Sequence, residues 1–217
     1  MGENQGDYSG WSVSLSADGD ILAVGARLND GNGANSGHVR VFAWNGAAWA
    51  QRGLDIDGEA EGDLSGWAVD LSGDGSVLAI GAPNNDGENG GDSGHVRVYV
   101  WNGAAWIQRG EDIDGEAASD YSGYSVSLSG DGLILAIGAH NNDGNGGNSG
   151  HVRVYAWDTT NWQLLDKDIN GEAAGDQSGW AVDLSTNGTV LAVGARLNDA
   201  NGQDSGHVRV YTLTDPP

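Results

Sequence analysis

The sequence predicts an all-β fold, a β-propeller of four tandem four-stranded blades whose last blade lacks its outer strand, and three observations carry this. The hexapeptide Ser-Gly-His-Val-Arg-Val occurs four times, with its histidines at His38, His95, His151 and His207, spaced 57, 56 and 56 residues apart. Between the copies, short runs alternate polar and apolar residues with period two, and no helical period is present. Glycine supplies 38 of 217 residues, too many for a helical protein and too few for collagen, while a hydrophobic content of 38% suffices for a core. Four strands in about 56 residues suit one propeller blade, and consecutive hairpins form a meander rather than the parallel coils of a β-solenoid, the competing architecture.

The elements follow in order within each repeat. The first strand is the half-polar run Ser12 to Ser16, repeated from Ala68, Ser125 and Ala181. An Asp18-Gly19 pair, or its copies Asp74-Gly75, Asp131-Gly132 and Asn187-Gly188, then tolerates positive φ and predicts a tight hairpin. The second strand, Ile21 to Ala26 with copies at Val77, Ile134 and Val190, is apolar throughout and suits burial on both faces. A polar Gly/Asn/Asp loop leads to the third strand, His38 to Trp44, and a turn at Asn45-Gly46 leads to an outer strand around Trp49 to Asp57.

This phase divides the chain into repeats 1–57, 58–114, 115–170 and 171–217, within a single repeat domain. The second repeat carries one extra residue between Pro83 and Gly94, which marks that stretch as a surface loop. The fourth repeat stops ten residues after His207, so its outer strand is missing from the pattern. Three states are open: a closed ring with one thin blade, part of a larger ring, or a half-ring completed by a second copy. Apolar faces left bare at an open end favour association, and a homodimer completing a larger ring is the expectation.

Composition excludes several classes. Nine basic against 31 acidic residues leave a net charge of −22, without the clustered cations that nucleic acid or an anionic membrane requires. The absence of cysteine removes disulfides, thiolate metal sites and cysteine nucleophiles. No apolar run approaches the roughly 18 residues of a membrane span, and no leader pattern is visible.

Gly10-Trp11-Ser12-Val13, then Leu22-Ala-Val-Gly-Ala26, then Gly37-His-Val-Arg-Val-Phe42 resembles the FG-GAP repeat of integrin-α-type propellers. The second copy contains Gly81-Ala82-Pro83 in full, and Gly-Trp or Gly-Tyr stands where Phe-Gly names the family. The resemblance covers essentially the whole chain. It implies a non-catalytic recognition or adhesion module at the cell surface or outside the cell, with a protein or carbohydrate partner. The family's calcium loop between the first two strands does not carry over, because the turns at Asp18, Asp74, Asp131 and Asn187 are too short and too poor in oxygen ligands.

The best candidate site lies in the blade-to-blade connections: Asp55, Asp57, Glu59 and Asp63; Asp112, Asp114, Glu116 and Asp120; Asp168, Asn170, Glu172 and Asp176. Carboxylates alternating around a glycine bend can converge on calcium, which takes roughly six to eight oxygens. The bland reading is that they cap turns and keep molecules apart. The loop from Asn29 to Ser36 is also oxygen-rich, and ordinary loop chemistry accounts for it. Arg40, Arg97, Arg153 and Arg209 sit inside strands and call for carboxylate or carbonyl partners between blades. With Trp49, Trp106 and Trp162 they could instead form a lectin-like sugar site. The repeated histidines are either metal ligands or partners of the backbone at a strand start. Gly91-Asp92-Ser93-Gly94 resembles a protease nucleophile motif, but its copies show it to be the repeat drifting, and no position unique to one copy reads as catalytic. A purely structural or engineered repeat assembly is the remaining alternative.

Overall fold

A computed structural model describes residues 2–213, and every regular element in it is a strand. The first sheet runs β1 (Ser12–Leu15), β2 (Ile21–Ala26), β3 (His38–Trp44) and β4 (Trp49–Gln51), with β5 (Ile56–Asp57) also paired to β3. The second has the same order in β6 (Ala68–Leu71), β7 (Val77–Ala82), β8 (His95–Trp101), β9 (Trp106–Gln108) and β10 (Ile113–Asp114). The third consists of β11 (Ser125–Leu128), β12 (Ile134–Ala139), β13 (His151–Trp157), β14 (Trp162–Leu164) and β15 (Ile169–Asn170). The fourth has three strands among the described residues: β16 (Ser178–Leu184), β17 (Val190–Ala195) and β18 (His207–Thr212). All pairing between strands is antiparallel, as hairpin connections require.

The outer strand departs from the expected single run. It breaks into β4 and β5 at Gly53, which takes φ +90°, and the Arg52 carbonyl there accepts the Trp106 indole N–H of the next blade at 2.9 Å. Trp162 makes the same bond to Arg109. The sequence shows the turn residue but not the indole that bonds beside it, and the third blade breaks between β14 and β15 without such a bond among the described residues.

First strands of consecutive blades lie side by side, and the turns after them are joined across blades by Ala17 N–H to Gly73 O, Gly73 N–H to Gly130 O, and Gly130 N–H to Thr186 O. Three apolar clusters fill the three junctions between consecutive blades. The first packs Ala23, Val39 and Val41 against Val69, Leu71, Leu78 and Ile80. The other two repeat this arrangement one and two blades further on. Burial on both faces explains the apolar second strands, since every residue of β7 and β12 is buried.

The two outward ends of this arc are bare. Leu15 is 56% exposed whereas its copies Leu71, Leu128 and Leu184 are at most 6% exposed. At the other end Val208 and Val210 are 68% and 67% exposed, while Val39, Val41, Val96 and Val98 are at most 1%.

Candidate metal centre

Each cluster is built from the start of a third strand and the end of an outer strand. His38, His95 and His151 open β3, β8 and β13 and stand opposite Asp57, Asp114 and Asn170 in the ladder. Asp55, Asp112 and Asp168 lie two residues earlier than those partners, hence on the same side of the outer strand. The remaining carboxylate of each group comes from the connection that leads into the blade. Glu3, His38 and Asp55 converge, as do Glu59, His95 and Asp112, and Glu116, His151 and Asp168; the ligand atoms of each group lie within 4.8 Å of one another. The fourth repeat brings Glu172 Oε2 to 3.6 Å from His207 Nδ1.

The carboxylates grouped in the sequence as one cage are therefore divided. Asp55 and Asp57 approach His38 Nδ1, both at 3.9 Å, whereas Glu59 crosses to the next blade and stands 3.7 Å from His95 Nδ1. The crossing is set at Gly58, where a Cβ would overlap the Ser36 carbonyl, so only glycine lets the connection run this close to the blade. Asp63, Asp120 and Asp176 lie apart from these groups. They are buried, cap the backbone N–H groups of Ala60, Ala117 and Ala173, and accept from the amides of Asn85, Asn142 and Asn198. Glu3 completes the first group and was legible only as the copy of Glu59.

The arginines hold the glutamates in place. Arg40 Nη1 is 2.8 Å from Glu3 Oε1, Arg97 Nη1 is 3.6 Å from Glu59 Oε1, and Arg209 Nη1 is 2.9 Å from Glu172 Oε1. Arg97, Arg153 and Arg209 also donate to the Asp57, Asp114 and Asn170 carbonyls of the preceding blade. Glu59, Glu116 and Glu172 thus keep one oxygen for arginine and turn the other to histidine. Burial pushes the Glu59 and Glu116 carboxyls upward, partly offset by Arg97 and Arg153. It also lowers His95 and His151 to about 4, so both imidazoles are neutral near pH 7 and able to act as ligands.

The tryptophans proposed for sugar stacking are otherwise engaged. Besides donating their indole N–H groups, Trp106 and Trp162 lie under the guanidiniums of Arg52 and Arg109, at 5.6 and 5.7 Å. Trp49 packs on Trp44 at 5.7 Å. A separate column that the sequence only half disclosed runs across the blades: Trp11, Trp67, Tyr124 and Trp180, with successive centroids 5.2, 5.1 and 4.6 Å apart. Arg27 and Arg196 lie over Trp11 and Trp180, and His140 packs on both Tyr124 and Trp180. These three residues occupy one repeat position, the one following Gly-Ala.

The FG-GAP repeat model matches residues 2–42, 54–100, 113–155 and 170–211, and the chain belongs to this family of propeller repeats. No curated protein sequence matches it. Among solved structures it is similar to a protein described as a 6-phosphogluconolactonase from Bacteroides uniformis (TM-score 0.60, 15% identity, 93% of this chain and 49% of that one). It is similar also to hydrazine synthase from Kuenenia stuttgartiensis (TM-score 0.58, 14% identity, 98% and 50%). The β-propeller domain of Cps50 (Swd1) from Myceliophteria thermophila matches with TM-score 0.57 and 10% identity, over 94% of this chain and 50% of that one. At such identities the likeness shows the fold alone, and the chain spans about half the length of each.

Proposed function

We propose that this chain is a non-catalytic extracellular recognition module that two copies close into one eight-bladed ring. One observation carries the closure: the bare face of the first blade and that of the last are the two halves of the junction that is buried three times within the chain. Leu15 and Val13 repeat the positions of Leu71 and Val69, and Val208 and Val210 repeat those of Val39 and Val41. Two head-to-tail contacts related by a two-fold axis satisfy both ends of both copies, and eight blades fall within the usual range of about four to eight. The aromatic column would continue through the joint, with Trp180 and Arg196 meeting the second copy's counterpart of Trp11.

Near-equivalent cups on successive blades suit repeated ligand contact better than catalysis. The carboxylates of these cups are read as divalent-cation sites. The extracellular setting and adhesive partner come from the family resemblance. A sugar partner is less favoured, because arginines already cover Trp106 and Trp162.

Light scattering after size exclusion tests the ring. A particle of twice 22.3 kDa is expected, dissociating in Leu15→Asp and in Val208→Asp. A wild-type particle of 22.3 kDa refutes the dimer and leaves the ends to further blades of a longer polypeptide.

A further inference from the structure

Resting on the reading of the cups as cation sites, we propose that the three His-Glu-Asp groups each bind a divalent transition ion of the zinc type in preference to calcium. The donor set points there. Calcium and magnesium are held by oxygens, whereas an imidazole nitrogen with carboxylates suits zinc and its first-row neighbours. Every group places one imidazole Nδ1 between two carboxylates drawn from two separate segments.

The second observation lies on the histidine itself. His151 is 1% exposed, and its Nδ1 has no hydrogen-bond partner although it is aimed at Glu116 Oε2, 3.6 Å away. That separation is too long for a hydrogen bond and leaves a buried polar atom unsatisfied at appreciable cost. An ion between the two atoms removes the deficit. At metal–ligand lengths of about 2.0–2.2 Å, ligand atoms around a tetrahedral ion stand roughly 3.4 Å apart, so the His151–Glu116 pair closes by a few tenths of an ångström while the widest pairs, up to 4.8 Å apart, must draw in by about an ångström or more. His95 repeats the arrangement, with Glu59 and Asp112 at 3.7 and 3.8 Å.

The surroundings are those of a prepared ligand set. The neutral imidazoles of His95 and His151 need not lose a proton before binding, and the arginine on the other oxygen of Glu59 and of Glu116 fixes the orientation of that carboxylate. Two carboxylates and a neutral imidazole compensate a dication. Three protein ligands leave coordination positions for water or for a donor group of a bound partner.

The test uses the full chain freed of metal by chelation and dialysis. Calorimetric titration with Zn²⁺ is expected to show about three equivalents, matching the three groups. Co²⁺ should give the visible absorption of a nitrogen- and oxygen-ligated ion, undiminished by a hundredfold excess of Ca²⁺. His151→Ala should remove one equivalent and one third of the absorption. Glu116→Gln, which preserves the shape of the side chain, should weaken the same site at least tenfold while far-ultraviolet dichroism stays unchanged. Binding of Ca²⁺ with no uptake of Zn²⁺ or Co²⁺ overturns the ion assignment and leaves the cation reading standing. No uptake of any of them defeats both. Full stoichiometry and an unaltered cobalt spectrum in both variants overturn the residue assignment.

Discussion

Alanine at one repeat position should have opposite effects in two blades. Gly138 and Gly194 are the same residue of the second strand, in the third and fourth repeats. A Cβ on Gly138 would overlap the carbonyl of Gly179 on the next blade and the Ser125 hydroxyl, well inside the 3.0 Å that Cβ atoms essentially never breach. Gly179 is backbone, so relief requires the third and fourth blades to part by roughly an ångström, an overpacking cost of about 1–3 kcal/mol or more. On Gly194 the nearest atom would be Ala181 Cβ at 3.7 Å, an ordinary contact, because no further blade packs against it among the described residues. There the change removes freedom from the unfolded chain and should stabilise by about 0.4–1 kcal/mol. At about 2–4 °C per kcal/mol for a chain of this size, Gly138→Ala should lower Tm by roughly 2–12 °C and Gly194→Ala should raise it by about 1–4 °C. The assay is thermal unfolding by circular dichroism, at a concentration low enough for the single chain, repeated at high concentration with light scattering. At high concentration Gly194→Ala should lose the dimer, since its Cβ would then meet the Gly10 carbonyl of a second copy. Equal shifts of the same sign in the two variants would refute the argument that blade apposition dictates this glycine.

Other measurements probe separate parts of the structure. His95 and His151 titrate at about 4 in the fold against about 6.5 when unfolded, so the unfolded chain takes up protons first and stability should fall as pH drops from about 6.5 towards 4. The loss is bounded by about 3 kcal/mol per histidine. Glu59 and Glu116 are raised by burial and act oppositely, gaining stability as pH falls through their folded values, so they offset part of the histidine slope. Urea midpoints from pH 7 to 5 should show it, and a flat profile in the wild type would exclude it. Asp63→Ala removes the acceptor of the Ala60 N–H and the Asn85 amide and should cost about 1–3 kcal/mol, whereas exposed Asp30→Ala should cost less than 1 kcal/mol by the same urea assay. Arg97→Lys forfeits the 2.7 Å bond to the Asp57 carbonyl and should destabilise by about 1–2 kcal/mol, read by thermal melts; no shift would mean that Glu59 alone holds the guanidinium.

Much of the architecture was legible because a repeat shows its own phase. The four copies of His-Val-Arg-Val located the third strands, and the Gly-containing pairs located hairpins that carry positive φ at Gly19, Gly75, Gly132 and Gly188. The break in the outer strand was not legible, and neither was the bond at that break from the Trp106 indole, 54 residues away, to the Arg52 carbonyl. For the site, the sequence supplied the residue types but not their grouping: Asp55 and Glu59 are four residues apart and serve different histidines.

By itself, the sequence determined the strand order, the blade repeat, the acidic character and the candidate ligands, since these depend on local pattern and composition. Only the tertiary structure decided which carboxylates share a histidine, which tryptophans are already covered by arginine, and which blade faces stay bare. Each of those depends on apposition of neighbouring blades. The chain carries the same leucine at this position of every repeat, and position in the arc alone makes Leu71 core and Leu15 surface.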